Sequence, residues 1–474
     1  MPKNLLPQEF IQNIKAILPP HLSIESFVDI CQVPLRKSIR INTLLQPAPN
    51  EIGKLFSAAE PVPWCEQGLW LNETPDYQLG NHVCHLNGQF YIQEASSMLP
   101  PMALAHVAKS MNLVLDMASA PGSKTTQIAG LMNNRGGLVA NELSASRLKF
   151  LHANLQRCGV TNAALTHFDA AIFGAALPNT FDAVLLDAPC SGEGSLRKDP
   201  DAMKNWNMES IERISEVQKT LIESAFHALK AGGAMVYSTC TLSAQENQNV
   251  CQHLLDTFGD NVEVCSLHDL FDGAAQSVTA EGYLHVWPQI YDSEGFFVAA
   301  FRKQSATAPD QSEVRRPGRF PYHFAKRDDI EQLQQYLDGF GFTLPNDMEL
   351  FERNDTFWLF PKALEPLFGK LKFQRIGIRV AERFKRNYKL DHGFAIAYGH
   401  QFKHLTFELN AEQAQEYLQG RDVRGIEGLP NKGECLATYE GKTLGFGKAV
   451  ANRLKNQLPR EIVRDQPVMN STKK

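Results

Sequence analysis

The sequence predicts an α/β protein built on a mostly parallel sheet covered by helices on both faces. Three observations point there. Apolar strand patterns alternate with helical ones between about residues 96 and 303, as βαβ units do. Acidic residues stand at the ends of four successive strands of that region. The region closes on two strands joined too briefly to run parallel.

The strands are placed at 113–117, 137–141, 163–166, 183–187 and 234–238. The clearest helix spans 208–230 and is expected to stop at Ala231, Gly232 and Gly233. The closing pair, 283–287 and 296–302, is separated by a turn through Asp292, Ser293, Glu294 and Gly295.

A chain of 474 residues exceeds one ordinary core and suggests about three domains. Residues 1–95 form an expected α+β accessory domain, with two short helical patterns, a strand-like run at 38–45 and an irregular aromatic stretch around Trp64 and Trp70. The sheet domain is assigned 96–303, a Ser-, Pro- and charge-rich linker 304–319, a middle domain 320–400 and a terminal module 401–474. Hydrophobic content of 43% and charged content of 21% are those of a globular protein, with no apolar run long enough to cross a bilayer. A cytoplasmic location without membrane association is expected. Nine scattered cysteines, odd in number and without a CxxC pair, indicate neither a disulfide framework nor a metal site.

After the first strand, which carries Asp116, the chain runs through MASAPGSKTT. The small residues Ala118, Ser119, Ala120, Gly122 and Ser123, with Pro121, let a ligand approach the backbone, and the helix that follows presents free N–H groups to it. Lys124 lies in the same turn. Glu142 ends the second strand, where doubly wound folds place an acid on ribose hydroxyls. Asp169 follows the third strand, where it can read an adenine amino group, and Asp187 ends the fourth. Neither GxGxxG nor GxxxxGK[ST] is present, and no arginine fork accompanies the acids. This suits a nucleoside without phosphates.

Two cysteines also occupy strand ends. The fourth strand runs FDAVLLDAPCSGEG, where Pro189 stiffens the turn that presents Cys190; the fifth runs AMVYSTCTLSAQEN and presents Cys240. If these strands are neighbours, both sulfurs face one cleft. The residues alone leave open which of the two would react.

The segments YIQEASSMLPP (91–101), DMASAPGSKTTQ (116–127), NE with Arg147 nearby, DAPCSGEG, STCTLSAQEN and GFFVAAFRK (295–303) resemble the RNA (cytosine-5)-methyltransferases. The resemblance implies a Rossmann-like class I methyltransferase sheet ending in an antiparallel hairpin, with S-adenosyl-L-methionine as methyl donor and no metal. It implies Cys240 as nucleophile, Cys190 as the group that assists release and Asp187 as a contact of cofactor and base. Residues 118–124, Glu142 and Asp169 would hold the cofactor. Many relatives carry Cys and Gly where this chain has Ala118 and Ser123, and both substitutes are small. The chemistry fits: carbon 5 of cytosine is a poor nucleophile until a thiolate adds at carbon 6.

Net charge is −5, yet residues 370–389 carry eight basic side chains (Lys370, Lys372, Arg375, Arg379, Arg383, Lys385, Arg386, Lys389) against Glu382. Such a run predicts phosphate contact. The tail from Glu434 to Val463, with Lys448, Arg453, Lys455 and Arg460, resembles the mixed or all-β PUA-like RNA-binding module of the ribosomal RNA methyltransferase F group. Arg36, Lys37, Arg40 and Asn42 resemble an RNA-contacting segment of the accessory domain. The domain order implies 16S ribosomal RNA as substrate, within the small subunit and in its decoding-region helix, with transfer RNA as the runner-up and no obligate protein partner. An RNA-binding assembly factor without catalysis, or a methyltransferase acting on nitrogen, would not need the two cysteines.

Overall fold

The computed structural model describes residues 6–469 apart from 46–51, 54, 57–58, 74–76, 200, 205, 311–318 and 386. Most of the expected linker and Arg386 of the basic segment therefore lie outside the described residues.

The central sheet has nine strands: β1 (Leu113–Asp116), β2 (Gly137–Asn141), β3 (Ala163–Thr166), β4 (Phe181–Asp187), β5 (Leu229–Thr239), β6 (Val262–Cys265), β7 (Leu284–Val286), β8 (Phe296–Lys303) and β9 (Phe373–Ile376). The order across it is β6-β8-β5-β4-β1-β2-β3-β9, with β7 also on β8. Strands β1 to β5 are parallel, while β8 runs antiparallel between β5 and β6. Near-continuous apolar runs are what strands buried on both faces require. Residues of β1 alternate accordingly: Val114 packs under α1 (Leu99–Val107), α2 (Ser123–Leu131) and α3 (Ala145–Arg157), and Leu115 under α4 (Met208–Ala228) and α5 (Gln248–Phe258). Each such fully buried side chain contributes about 1.5–3 kcal/mol.

Helix α3 starts at Ser144, whose Oγ accepts from Arg147 N at 3.5 Å, and α4 starts at Asn207, whose Oδ1 accepts from Ser210 N at 2.8 Å. The expected end of α4 is corrected. It stops at Ala228, and Lys230 to Gly233 form a bulge in β5, because Phe181 pairs with Leu229 and Ala183 with Ala234. Gly232 takes φ +78° there. The edge strand β6 escaped the sequence reading.

In the first domain, helices Gln8–Ile17 and Ile24–Ile30 pack Phe10 and Phe27 against Leu242 and Trp287 of the sheet domain. Its four-stranded antiparallel sheet includes Lys37–Ile41 and Cys65–Leu71, so Trp70 lies in a strand rather than in an irregular stretch. Arg40 and Asn42 are buried. Arg40 donates to Gln93 Oε1 at 2.8 Å and Thr126 Oγ1 at 2.8 Å, and Asn42 Nδ2 to the carbonyls of Gly88 and Cys158. Their expected RNA contact is replaced by a clamp on α2 and the end of α3.

The middle five-stranded sheet contains Met348–Arg353, Thr356–Pro361 and Ile378–Phe384. Its segment β9 crosses over to extend the central sheet beyond β3. The last five-stranded sheet is centred on Lys432–Tyr439 and Lys442–Val450. Leu409, Tyr417 and Leu454 there share one core with Ile39, Ile41 and Phe90 of the first domain, and Val83 N donates to Val468 O at 2.8 Å. No helix of the described residues is long and apolar enough to cross a membrane.

Candidate active site

Strands β4 and β5 are parallel neighbours with Asp187 opposite Ser238, which carries Cys190 and Cys240 just beyond their carboxyl ends. That is where open α/β sheets place ligands. The sulfurs stand 2.8 Å apart, both half-buried and neither in a disulfide. Gly194, four residues after Cys190, donates its N–H to the Cys240 carbonyl at 2.9 Å. A Cβ there would come within 2.0 Å of the Gly295 carbonyl oxygen, so only glycine lets the loop pass between β5 and β8.

The two thiols are not equivalent. Either sulfur can donate in this contact; the hydrogen bond with Cys190 lowers the proton affinity of Cys240, and Lys124 lowers it further, against the opposing effects of burial, Asp187 and Glu294. Cys190 is pushed well above the usual thiol range by its bond to Cys240, by burial and by the nearby charges of Cys240, Glu246 and Asp187. Of the two, Cys240 therefore gives up its proton more readily and Cys190 holds its own more tightly.

Lys124, in the first turn of α2, places Nζ 2.8 Å from Asp187 Oδ2 and 3.0 Å from Ser97 Oγ. Burial opposes its charge, but Asp187 more than restores it. Ser238 Oγ donates to the other Asp187 oxygen at 2.8 Å. Gly122, ahead of this turn, has φ +108°, and the free N–H groups of α2 follow it.

The loop after β1 is tied to the acids at the strand tips. Asp116 is 1% exposed; its Oδ2 accepts from Thr125 Oγ1 at 2.7 Å, its Oδ1 has no partner, and burial raises its pKa to about 6. Glu142 Oε2 accepts from Ala120 N at 3.3 Å and its Oε1 from Ser144 N at 2.8 Å, with Arg147 Nη1 at 3.6 Å from Oε2. Arg147 also donates to Ala120 O at 2.6 Å. Asp169 is exposed at the tip of β3 and accepts from Ala171 N at 3.0 Å. Ala118, Ser119, Ala120, Pro121 and Ser123 line the turn between these groups.

Sequence reasoning missed three polar groups around the site. Glu246 and Gln218 hold the loop of Cys190, and Glu294 sits buried beside Glu94, its carboxyl raised to about 8 by burial and then by Glu94. Glu246 lies inside STCTLSAQEN and Glu294 in the turn before β8, but their partners are far off in sequence, so only the fold gathers them. The basic segment is corrected in part: Arg379 pairs with Glu382 and Asp391, and Arg383 with Asp329 and Asp355, so these two charges are spent within the middle domain.

Four family models match successive parts of the chain. The family described as 16S rRNA methyltransferase RsmB/F matches residues 102–302. The N-terminal domain of 16S rRNA methyltransferase RsmF matches 6–95, the pre-PUA domain of ribosomal RNA small subunit methyltransferase F matches 322–398, and the methyltransferase RsmF PUA domain matches 404–464. Proteins named ribosomal RNA small subunit methyltransferase F from Vibrio atlanticus (strain LGP32) and Shewanella halifaxensis (strain HAW-EB4) are each 53% identical, over 97% of this chain and 98% of theirs. A solved methyltransferase homolog protein from Pyrococcus horikoshii is 31% identical with a TM-score of 0.52, covering 63% of this chain and 100% of that one. NSun6 from Pyrococcus horikoshii with SFG, 22% identical with a TM-score of 0.54 over 63% of this chain and 98% of its own, has the same fold. The chain is a methyltransferase and belongs to the RsmB/F family of 16S rRNA methyltransferases.

Proposed function

We propose that this protein methylates carbon 5 of a cytosine in 16S ribosomal RNA, using S-adenosyl-L-methionine and a covalent bond from Cys240 to carbon 6 of the base. The observation that carries the reading is the pair of sulfurs 2.8 Å apart at adjacent strand ends, with Lys124 acting on Cys240.

The turn from Ala118 to Lys124 fits the cofactor. Asp116 Oδ1 is buried without a partner, Gly122 is left-handed, and Glu142, Asp169 and Asp187 stand at three strand tips, with Arg147 held on Glu142 and the Ala120 carbonyl. In this reading Glu142 takes the ribose hydroxyls, Asp169 the adenine edge and Asp187 the methionine side. The bound cofactor supplies an electrophilic methyl group on a sulfonium sulfur.

The Cys240 thiolate forms a bond to carbon 6, and the carbon 5–carbon 6 π electrons move toward carbon 5 and ring nitrogen 3, which Asp187 and Lys124 face. Once carbon 5 is methylated, Cys190 gives its own proton to solvent and takes the carbon 5 proton in its place, and the carbon–hydrogen pair re-forms the carbon 5–carbon 6 double bond. The carbon–sulfur bond then breaks, its electron pair returning to Cys240, so one proton is released per methyl transferred.

The relatives' names speak for small-subunit RNA, and the resemblance for its decoding-region helix. The sheet Lys432–Tyr439, Lys442–Val450 and Arg453–Asn456 supports RNA contact: exposed Lys448 and Lys455 stand directly opposite each other, a repulsive pairing that a phosphate relieves. A cavity of about 680 Å³ beside α3, lined by Lys149, Arg157, Arg375 and Arg464, adds a second cationic surface.

The test is to incubate Cys190→Ala and Cys240→Ala with 16S RNA and cofactor and look for a denaturant-resistant protein–RNA adduct. The first variant traps one and the second does not. The reverse pattern would exchange the two roles, and undiminished methylation without adduct in either would overturn the mechanism. Mapping the methylated base by mass spectrometry checks the target.

A further inference from the structure

The residues that follow the two cysteines meet at one buried carboxylate. Glu246, in the turn before α5, is fully buried and accepts from Ser191 N at 2.9 Å and from Ser191 Oγ at 2.5 Å. Ser191 Oγ also lies 2.9 Å from Thr241 Oγ1. Gln218, on α4, donates to Glu246 at 3.0 Å and to the Pro189 carbonyl at 2.8 Å. Both chain neighbours of Cys190 and the residue after Cys240 are thus held by one network.

A neutral side chain would be the cheaper anchor, since a buried carboxylate costs free energy even when its oxygens are satisfied. Burial pushes the Glu246 carboxyl above its usual range against the hydrogen bonds of Ser191, Gln218 and Thr241, so an acid at this place calls for a reason. Asp187 acts on both cysteines and Glu294 on Cys240, so what sets the two apart is Glu246 beside Cys190 and Lys124 beside Cys240. Two chemically identical thiols in contact are distinguished by what lies on either side of them.

We propose that Glu246 is the positioning residue that divides the labour of the cysteines: it fixes the Cys190 loop against the end of β5 and keeps the shared proton on Cys190. This rests on the proposed function, because only a covalent mechanism with a separate release step needs the two sulfurs to differ.

Glu246→Gln keeps the shape and an acceptor for Ser191 N but removes the charge. The expected result is a kcat lower by about tenfold or more, a KM for RNA within about twofold of the parent, and an adduct that accumulates as it does for Cys190→Ala. A second measurement needs no RNA. In a Cys240→Ser background, where Asp187 and Glu246 are the acids acting on Cys190, Glu246→Gln moves the midpoint of Cys190 alkylation to lower pH. Parental turnover, an unchanged alkylation midpoint, or lost turnover without adduct while Cys190→Ala does trap one, would each overturn the inference. Failure of Cys190→Ala itself to trap an adduct defeats the proposed function instead, and the alkylation midpoint then decides this inference alone. If Glu246→Gln does not fold, Ser191→Ala, which removes only the Oγ link, is read for adduct by the same criteria.

Discussion

Lys124 Nζ lies 2.8 Å from Asp187 Oδ2 and 5.5 Å from the centre of the Phe296 ring, so the loop after β1 reaches across to the wall that carries the cysteines. Replacing it tests which sulfur it serves. Compared with Cys190→Ala alone, Lys124→Met in that background removes a cation that lowers the Cys240 proton affinity. The midpoint of Cys240 alkylation then rises, and at neutral pH the reactive thiolate falls by about tenfold for each unit of rise. Iodoacetamide kinetics against pH measure this.

Asp116 gives a stability prediction with a definite sign. Its folded pKa is raised from 3.8 to about 6 by burial, so the folded state holds the proton more tightly than the unfolded chain. Stability from this group is fully present below about pH 4 and is lost as pH rises through about 6. Asp116→Asn, which keeps an acceptor for Thr125, removes that dependence. Between pH 4.5 and 7.5 the wild type loses about 2 kcal/mol relative to the variant, as read by urea unfolding at both pH values.

Lys303 ends β8 fully buried, donating to the carbonyls of Phe226, His227 and Leu229 at the close of α4. It also donates to Asn179 Oδ1 and Thr307 Oγ1. Lys303→Met strands these acceptors and is expected to cost about 2–4 kcal/mol. Denaturant midpoints at constant m value check it, and cofactor affinity of the folded fraction stays unchanged.

Arg40 and the lysines of the last sheet separate structure from RNA contact. Arg40→Met lowers the melting temperature but leaves the salt dependence of RNA binding as it was, because the side chain is buried between the first domain and α2. Lys448→Ala with Lys455→Ala does the opposite, reducing the slope of log affinity against log salt by about 1.4–1.8. Filter binding across a salt series distinguishes the two.

The strands that were legible are those buried on both faces: β2 and β3 have the bounds that their apolar runs predicted. The edge strand β6, Val262–Cys265, was hidden because it is only four residues long and only one end is buried. The glycines after α4 read as a helix stop, yet the chain was already a strand; a bulge and a stop use the same residues. At the site, the cysteines and the strand-tip acids were visible because each ends a recognisable strand. The burial of Arg40 and the pairing of Arg383 were not, since a charged residue reads as exposed until its partners, far off in sequence, are brought to it.

Strand β9 makes the division between catalytic and carboxyl-terminal parts sharper in sequence than in the molecule. Phe373 pairs with Thr166 and Ile376 with Ala164, so the outermost parallel strand is shielded by chain that enters well after the linker. A fragment cut at residue 303 would leave β3 with a bare row of N–H and C=O groups. Such an edge recruits another copy. The catalytic sheet thus depends on its carboxyl-terminal half to cover its open edge, and natural or engineered truncations of this chain are expected to self-associate before they lose their fold.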